Sequence, residues 1–192
     1  CDVNDKDSIR GAIETASQDG PLTGLAYCVG SINLKPLARC TEQDFMDVYA
    51  LNVVGAAMAV QMAAVSLKAS GAGVVVLFST VAAQQGFANH ALIASAKAGV
   101  EGLTVSLAAE LAPHIRVNAI APSLSQTPLA TKLLASETMA TSLARQHPLQ
   151  RLGTADDHAA LAEFLLAANS GWLTGQIIGV DGGRGTLRMA RG

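Results

Sequence analysis

Two apolar patterns take turns along this chain: short unbroken runs, and longer stretches with apolar positions three and four apart. Leu22 to Val29 is a run that ends at Gly30. Gly73 to Phe78 is another, of the kind shown by a parallel strand buried on both faces. Ile115 to Ile120 and Gln176 to Val180 are two further predicted strands. Thr41 has an acid, Asp44, three residues on; this capping-box pattern predicts a helix that runs to about Lys68. Ala96, Val100, Leu103, Leu107 and Leu111 repeat at helical spacing and predict a helix from about Asn89 to Leu111, ended by Pro113. Short helices are expected after Pro122 and through Gln146, then a capped helix over Thr154 to Ala168. Strands alternating with helices predict an α/β architecture, a three-layer, doubly wound parallel sheet, with residues 1–192 as one domain.

Composition narrows the class. Half of the 192 residues are hydrophobic and 4% aromatic, which suits helices packed closely on a sheet. A net charge of -2 leaves no electrostatic footprint for nucleic acid or an acidic membrane. The local excess at Arg184, Arg188 and Arg191 reads as a solvated end. Cys1, Cys28 and Cys40 are odd in number and lack CxxC spacing, so neither a disulfide framework nor a zinc site is expected, and a reducing cytoplasm is. The apolar stretch around Leu51 to Val65, broken by Asn52 and Gln61, reads as too short and too polar to span a bilayer, which takes about 20 apolar residues. No signal peptide is visible. With Cys1 in first place, the chain is expected to begin inside a longer sequence.

One expected feature of a dinucleotide fold is missing. Such folds open with strand, glycine-rich turn and helix, where backbone N–H groups hold a pyrophosphate. The Gly71-Ala72-Gly73 triplet precedes a strand and reads as a connecting turn; Gly182-Gly183 follows the last strand with no helix after it.

Taken together, the motifs resemble the short-chain dehydrogenases/reductases. They are Asp2-Val3, Gly30, Asn52, Ser79-Thr80, Ser95 to Gly99, Arg116 to Pro122, Thr127, Thr174 to Gln176 and Val180 to Gly183, in family order over essentially the whole chain. The resemblance implies a Rossmann-like sheet lacking its first βαβαβ half, on the order of 60 residues at about 30 per βαβ unit. It also implies an oxidoreductase moving a hydride between NAD or NADP and a carbonyl or alcohol, with no preference legible between the cofactors. The absent glycine-rich turn bears directly on that binding. The partner implied is a small molecule, and the assembly a homodimer or homotetramer. The helices carrying Asn52 and Lys97 are apolar on more than one side, as burial against both a sheet and a partner subunit would require.

The family's catalytic pattern is Ser-x12-Tyr-x3-Lys with an Asn on the preceding helix. Lys97 stands in the Lys position, Asn52 in the Asn position and Thr80 in the Ser position, with Ser79 beside it as a stand-in. A Thr hydroxyl makes the same hydrogen bond from a more restricted rotamer. The Tyr position holds Ile93, which has no titratable group and cannot act as acid or base. Three readings follow: an oxidoreductase with impaired or atypical proton transfer, a non-catalytic relative that binds a nucleotide or a partner, or an inactive truncated chain that keeps the oligomer surface. Tyr27 and Tyr49 fall outside the motif. His90, three before Ile93, reads either as a substitute proton donor or as a loop residue at the pocket mouth. The resemblance assigns cofactor contacts to Asp2, Val3, Gly30, Lys97, Pro122 and Thr127. Asn-Asn-Ala-Gly appears as Tyr27-Cys28-Val29-Gly30, and Pro-Gly as Pro122-Ser123. The substrate loop is expected at Pro128 to Gln146, and its Leu129, Leu133, Leu134, Met139 and Leu143 suggest either a lipophilic or bulky substrate or packing.

Overall fold

The computed structural model describes residues 1–188. Four parallel strands, β1 (Gly24–Tyr27), β2 (Gly73–Phe78), β3 (Ile115–Pro122) and a last strand (Ile177–Val180), form a sheet in that order. Two further two-residue segments, β4 (Ser125–Gln126) and β5 (Gly153–Thr154), pair with each other, which makes the last strand β6.

Alternation within β2 divides the core. Val75 and Leu77 face one side, with Ile115, Val117 and Ala119 of β3, and meet helices α1 (Lys6–Ala16), α3 (Gly55–Ala69) and α4 (Ala91–Leu111). Val74, Val76 and Ile120 face the other side and meet Leu161, Leu165 and Leu166 of α6 (Ala155–Leu166). The result is the predicted three-layer parallel sheet with helices on both faces.

Local chemistry explains the boundaries. Both predicted N-caps are full capping boxes: Thr41 with Asp44 opens α2 (Glu42–Tyr49), and Thr154 with Asp157 opens α6. Arg116 holds the other end of α6, donating to the carbonyls of Leu165, Ala167, Ser170 and Leu173. Asn118 donates to the Leu173 carbonyl and accepts from the Gln176 N–H, so the motif around Val117 works as a clamp between β3 and the entry to β6. Gly71, at φ +71°, turns the chain into β2 as expected of a connecting turn.

Three features differ from the sequence reading. Helix α1 leaves little trace in the apolar pattern, because Ile9 and Ile13 are its only core-facing apolar side chains. The long helix is interrupted by a π turn at Ala50–Val54, between α2 and α3. The apolar stretches are also longer than read: Glu42–Ala69 runs 28 residues and Ala91–Leu111 runs 21, long and apolar enough to cross a bilayer by length and composition alone. Their apolar residues serve the sheet instead, with Ala56, Val60, Ala63 and Leu67 of α3 and Leu92, Ala96 and Val100 of α4 in the core.

The cysteines are free, and among the described residues no cluster of His, Cys, Asp or Glu could hold a metal ion. The basic tail needs correction. Arg188 is exposed, but Arg184 is half-buried in a turn that folds back on the domain. Arg191 lies outside the described residues.

Candidate active site

A cavity of about 1280 Å³ opens at the C-terminal ends of the strands. Cys28 to Ser31 after β1, Phe78 to Ala82 around the end of β2, Pro122 to Ser125 after β3, and one face of α4 with His90, Ile93 and Lys97 all line it. Crevices beyond the carboxyl ends of parallel strands are where open α/β sheets bind ligands.

Lys97 is 7% exposed, and its ammonium donates to the Phe78 carbonyl at 2.7 Å. Burial lowers its pKa from 10.5 to about 8. Asn52 is 1% exposed and sits in the π turn, a distortion that re-aims side chains within a helix. Its amide nitrogen donates to the Val48 carbonyl at 2.8 Å and to Ser31 Oγ at 3.4 Å, whereas Oδ1 has no partner. The two groups converge on Gly30. A Cβ at that position would lie 3.1 Å from Asn52 Oδ1 and 3.2 Å from Lys97 Nζ. The missing side chain therefore leaves open the space between a buried ammonium and an unsatisfied buried carbonyl.

The remaining candidates divide. Thr80 Oγ accepts from the Ala82 N–H and donates to the Pro122 carbonyl, both at 3.3 Å, which ties the end of β2 to the end of β3. Ser79 Oγ is committed elsewhere, donating to Glu101 Oε1 at 2.7 Å. Thr127 lines the cavity and precedes the short 3-10 helix Pro128–Leu134 without capping it through its side chain. Ile93 is 5% exposed, one helical turn before Lys97. His90 also lines the cavity; its Nδ1 lies 2.7 Å from the Ala88 carbonyl, which can only accept. Asp2 and Val3 are not brought to this cavity. Asp2 accepts from the Asn4 N–H in the turn before α1, and Val3 packs on the core beside Gly55.

Tyr27, which stands where the resemblance expects an amide, has a structural task. It is buried, and its hydroxyl donates to the Leu51 carbonyl in the π turn at 2.8 Å. Desolvation pushes its pKa up to about 12.

Sequence reasoning missed two Ser–His pairs at the β3 loop, one partly buried and one buried. Ser123 Oγ lies 2.8 Å from His147 Nε2, and Ser125 Oγ lies 2.7 Å from His158 Nε2. His147 Nδ1 is 3.0 Å from the Leu143 carbonyl, so in a neutral ring it donates there and Nε2 accepts from Ser123. His158 Nδ1 is buried without a partner, and desolvation lowers this ring's pKa despite the nearby Asp157. The paired residues are 24 and 33 apart in the chain, a separation without periodic signal.

Comparison with known proteins agrees with this architecture. A family model described as enoyl-(acyl carrier protein) reductase matches residues 1–184. A tropinone reductase homologue of Arabidopsis thaliana is 36% identical over 186 residues, covering 95% of this chain and 71% of the relative. A 3-oxoacyl-[acyl-carrier-protein] reductase of Thermotoga maritima is 35% identical over 183 residues, covering 94% and 74%. The crystal structure of a gluconate 5-dehydrogenase from Burkholderia cenocepacia, in complex with NADP and tartrate, superposes with a TM-score of 0.91 at 27% identity. That match covers 98% of this chain and 74% of the other. With the ordered motifs and a parallel sheet whose strand ends frame one cavity, these matches lead to one conclusion: the chain belongs to the short-chain dehydrogenase/reductase family of oxidoreductases.

Proposed function

We propose that this cavity binds NAD or NADP and that the chain moves a hydride between that cofactor and a carbonyl or alcohol carbon of a lipophilic small molecule, with atypical proton transfer. The convergence of Lys97 Nζ and Asn52 Oδ1 on Gly30 carries the reading. The chemistry of this donor set fits a polar, hydroxyl-bearing group, because the ammonium can donate and the orphaned carbonyl can accept. Lys97, Gly30, Pro122 and Thr127 would hold the cofactor; Asp2 and Val3, which lie outside the cavity, are left without an assigned contact. When bound, the nicotinamide supplies or takes up the hydride.

The chain's own residues then have limited tasks. Lys97 orients hydroxyls through an ammonium already positioned by the Phe78 carbonyl. Asn52 Oδ1 accepts from a water or a ligand hydroxyl. Thr80 offers its hydroxyl to the substrate oxygen once it leaves the Pro122 carbonyl. Ile93 moves no proton, so one reaches the substrate oxygen from water near Lys97 or from the imidazolium form of His90, whose Nδ1 faces the Ala88 carbonyl and whose Nε2 has no partner among the described residues. Positioned acid–base catalysis contributes about 10²–10⁴-fold, so turnover slowed by that order is expected. Leu129, Leu133, Met139 and Leu143 line the cavity and support an apolar substrate body.

Ile93 also supports a second reading, a relative that binds the cofactor or a partner without turnover. A fluorescence titration with NADH and then NADPH tests the binding common to both. If neither saturates a folded chain, the cofactor reading fails. An Ile93→Tyr variant separates the two. Turnover of a generic ketone raised by about 10²-fold or more would identify a site short only of its acid. Unchanged turnover with binding preserved would favour the binding protein.

A further inference from the structure

Three charged side chains line the cavity: Lys97, Glu163 and Arg184. Lys97 is used at Gly30. Arg184 is unassigned, and the turn that carries it is built with care. Asp181, just after β6, accepts from the Gly183 N–H at 2.8 Å and from the Gly185 N–H at 2.6 Å. The Arg184 N–H donates to the Asp181 carbonyl at 3.2 Å, and the Gln85 side chain donates to the Gly185 carbonyl. Gly182 and Gly183 supply the positive φ angles, +62° and +85°, that this turn requires.

The guanidinium is fixed as well. It lies 4.9 Å above the Phe87 ring, and its Nη2 donates to Gln146 Oε1 at 2.6 Å. Stacking of this kind holds an arginine in place without neutralising it. Among the described residues the side chain makes no ion pair, and only one of its five N–H donors is hydrogen-bonded. Burial lowers its pKa, with no carboxylate acting in the other direction. Phe87 belongs to the loop leading into α4, and its ring packs 5.4 Å from that of His90, three residues before Ile93. A half-buried cation at the edge of an apolar cavity, held by an aromatic face and a neutral amide, keeps donors free for an incoming anion.

We propose that Arg184 anchors a carboxylate carried by the substrate, so that the cavity selects apolar oxo or hydroxy acids over neutral ketones and alcohols. This deepens the functional reading and rests on the cavity being the substrate site. A planar carboxylate matches the remaining donors of the guanidinium two at a time, and the apolar loop covers the rest of the molecule.

Calorimetric titration of the full chain with octanoate and with octan-1-ol tests this without turnover. Octanoate is expected to bind about tenfold more tightly than the alcohol, the worth of one charge-assisted hydrogen bond of about 1.5 kcal/mol. In Arg184→Met that preference disappears while octan-1-ol affinity stays the same, and Arg184→Lys restores part of it. An unchanged melting temperature shows that both variants are folded. Equal affinities in the unaltered chain, no octanoate binding, or a preference that survives Arg184→Met would each overturn the proposal. NADPH binding separates the sources of the anion: if Arg184→Met weakens NADPH and not octanoate, the arginine reads a cofactor phosphate and the proposal is wrong. Loss of NADPH binding in the unaltered chain would sink the cofactor reading alone.

Discussion

The Lys97 ammonium donates to the Phe78 carbonyl at 2.7 Å, so the cation that faces Asn52 Oδ1 across Gly30 is steered by the backbone at the end of β2 and, among the described residues, by no ion pair. Its charge is borne at a cost in stability. The folded-state pKa, about 8, lies below the ordinary 10.5, so between these values the unfolded chain binds a proton that the folded chain releases. Stability from this residue is lowest below pH 8 and rises as pH increases toward 10.5. Lys97→Met should remove that rise and leave the protein neutral to more stable by about 1–2 kcal/mol at pH 7. Urea midpoints for both proteins at pH 7.5 and 9.5 check it; parallel pH dependences would contradict it.

Gly30→Ala should spare the fold and harm the site. Gly30 is not among the glycines at positive φ, so alanine brings no backbone strain. Its methyl would press on Asn52 Oδ1 and displace the Lys97 ammonium. Whichever of NADH and NADPH binds should bind about tenfold more weakly, the effect of roughly 1.4 kcal/mol, with thermal stability preserved. Fluorescence titration and a melting curve measure the two separately.

Gly55 and Tyr27 are coupled. A Cβ at Gly55 would collide with the Tyr27 hydroxyl, while the ring carbon beside it stays in tolerable contact. Gly55→Ala should therefore cost about 1–3 kcal/mol as an overpacked core site. Adding Tyr27→Phe should recover part of that loss, although on its own it removes the bond to the Leu51 carbonyl. Denaturation of the four proteins in this cycle gives the coupling; strictly additive effects would show that the two residues do not meet.

Assembly can be tested on the outer helix surfaces. Val65 on α3 is 81% exposed and Val105 on α4 is 51% exposed, apolar side chains on helices whose opposite faces are core. Read as the surface that meets a second copy of the chain, they predict that Val65→Glu with Val105→Glu yields a smaller species by light scattering. An unaltered chain that already runs as a monomer would end this reading.

Much of the fold was legible because its signals are local. The run Gly73 to Phe78 is β2 residue for residue, and both Thr-led capping boxes open helices where spacing put them. The Lys97, Ile93 and Thr80 positions were readable for a similar reason, since motif spacing survives as geometry on one helix and one strand end. What escaped depends on contacts between distant segments. Tyr27 reads as a lost amide until its hydroxyl is found on the Leu51 carbonyl. Arg184 reads as part of a charged tail until Asp181 folds the turn and Phe87 receives the guanidinium. The two histidines behind the β3 loop carry no pattern at all, because their partners are serines on another segment.

The π turn at Ala50–Val54 has a consequence for anyone who edits this chain. It holds one extra residue within about one turn of the spiral, so α2 and α3 keep nearly the same phase across it. Deleting one residue there would let the helix close as a regular α spiral, leaving Ala56, Val60, Ala63 and Leu67 on the sheet while Asn52 loses its aim. The same deletion inside α3 would turn everything beyond it by about 100°, one step of a 3.6-residue turn. A one-residue deletion is therefore tolerated by the core at the π turn and nowhere else along this helix, and it is the site that suffers.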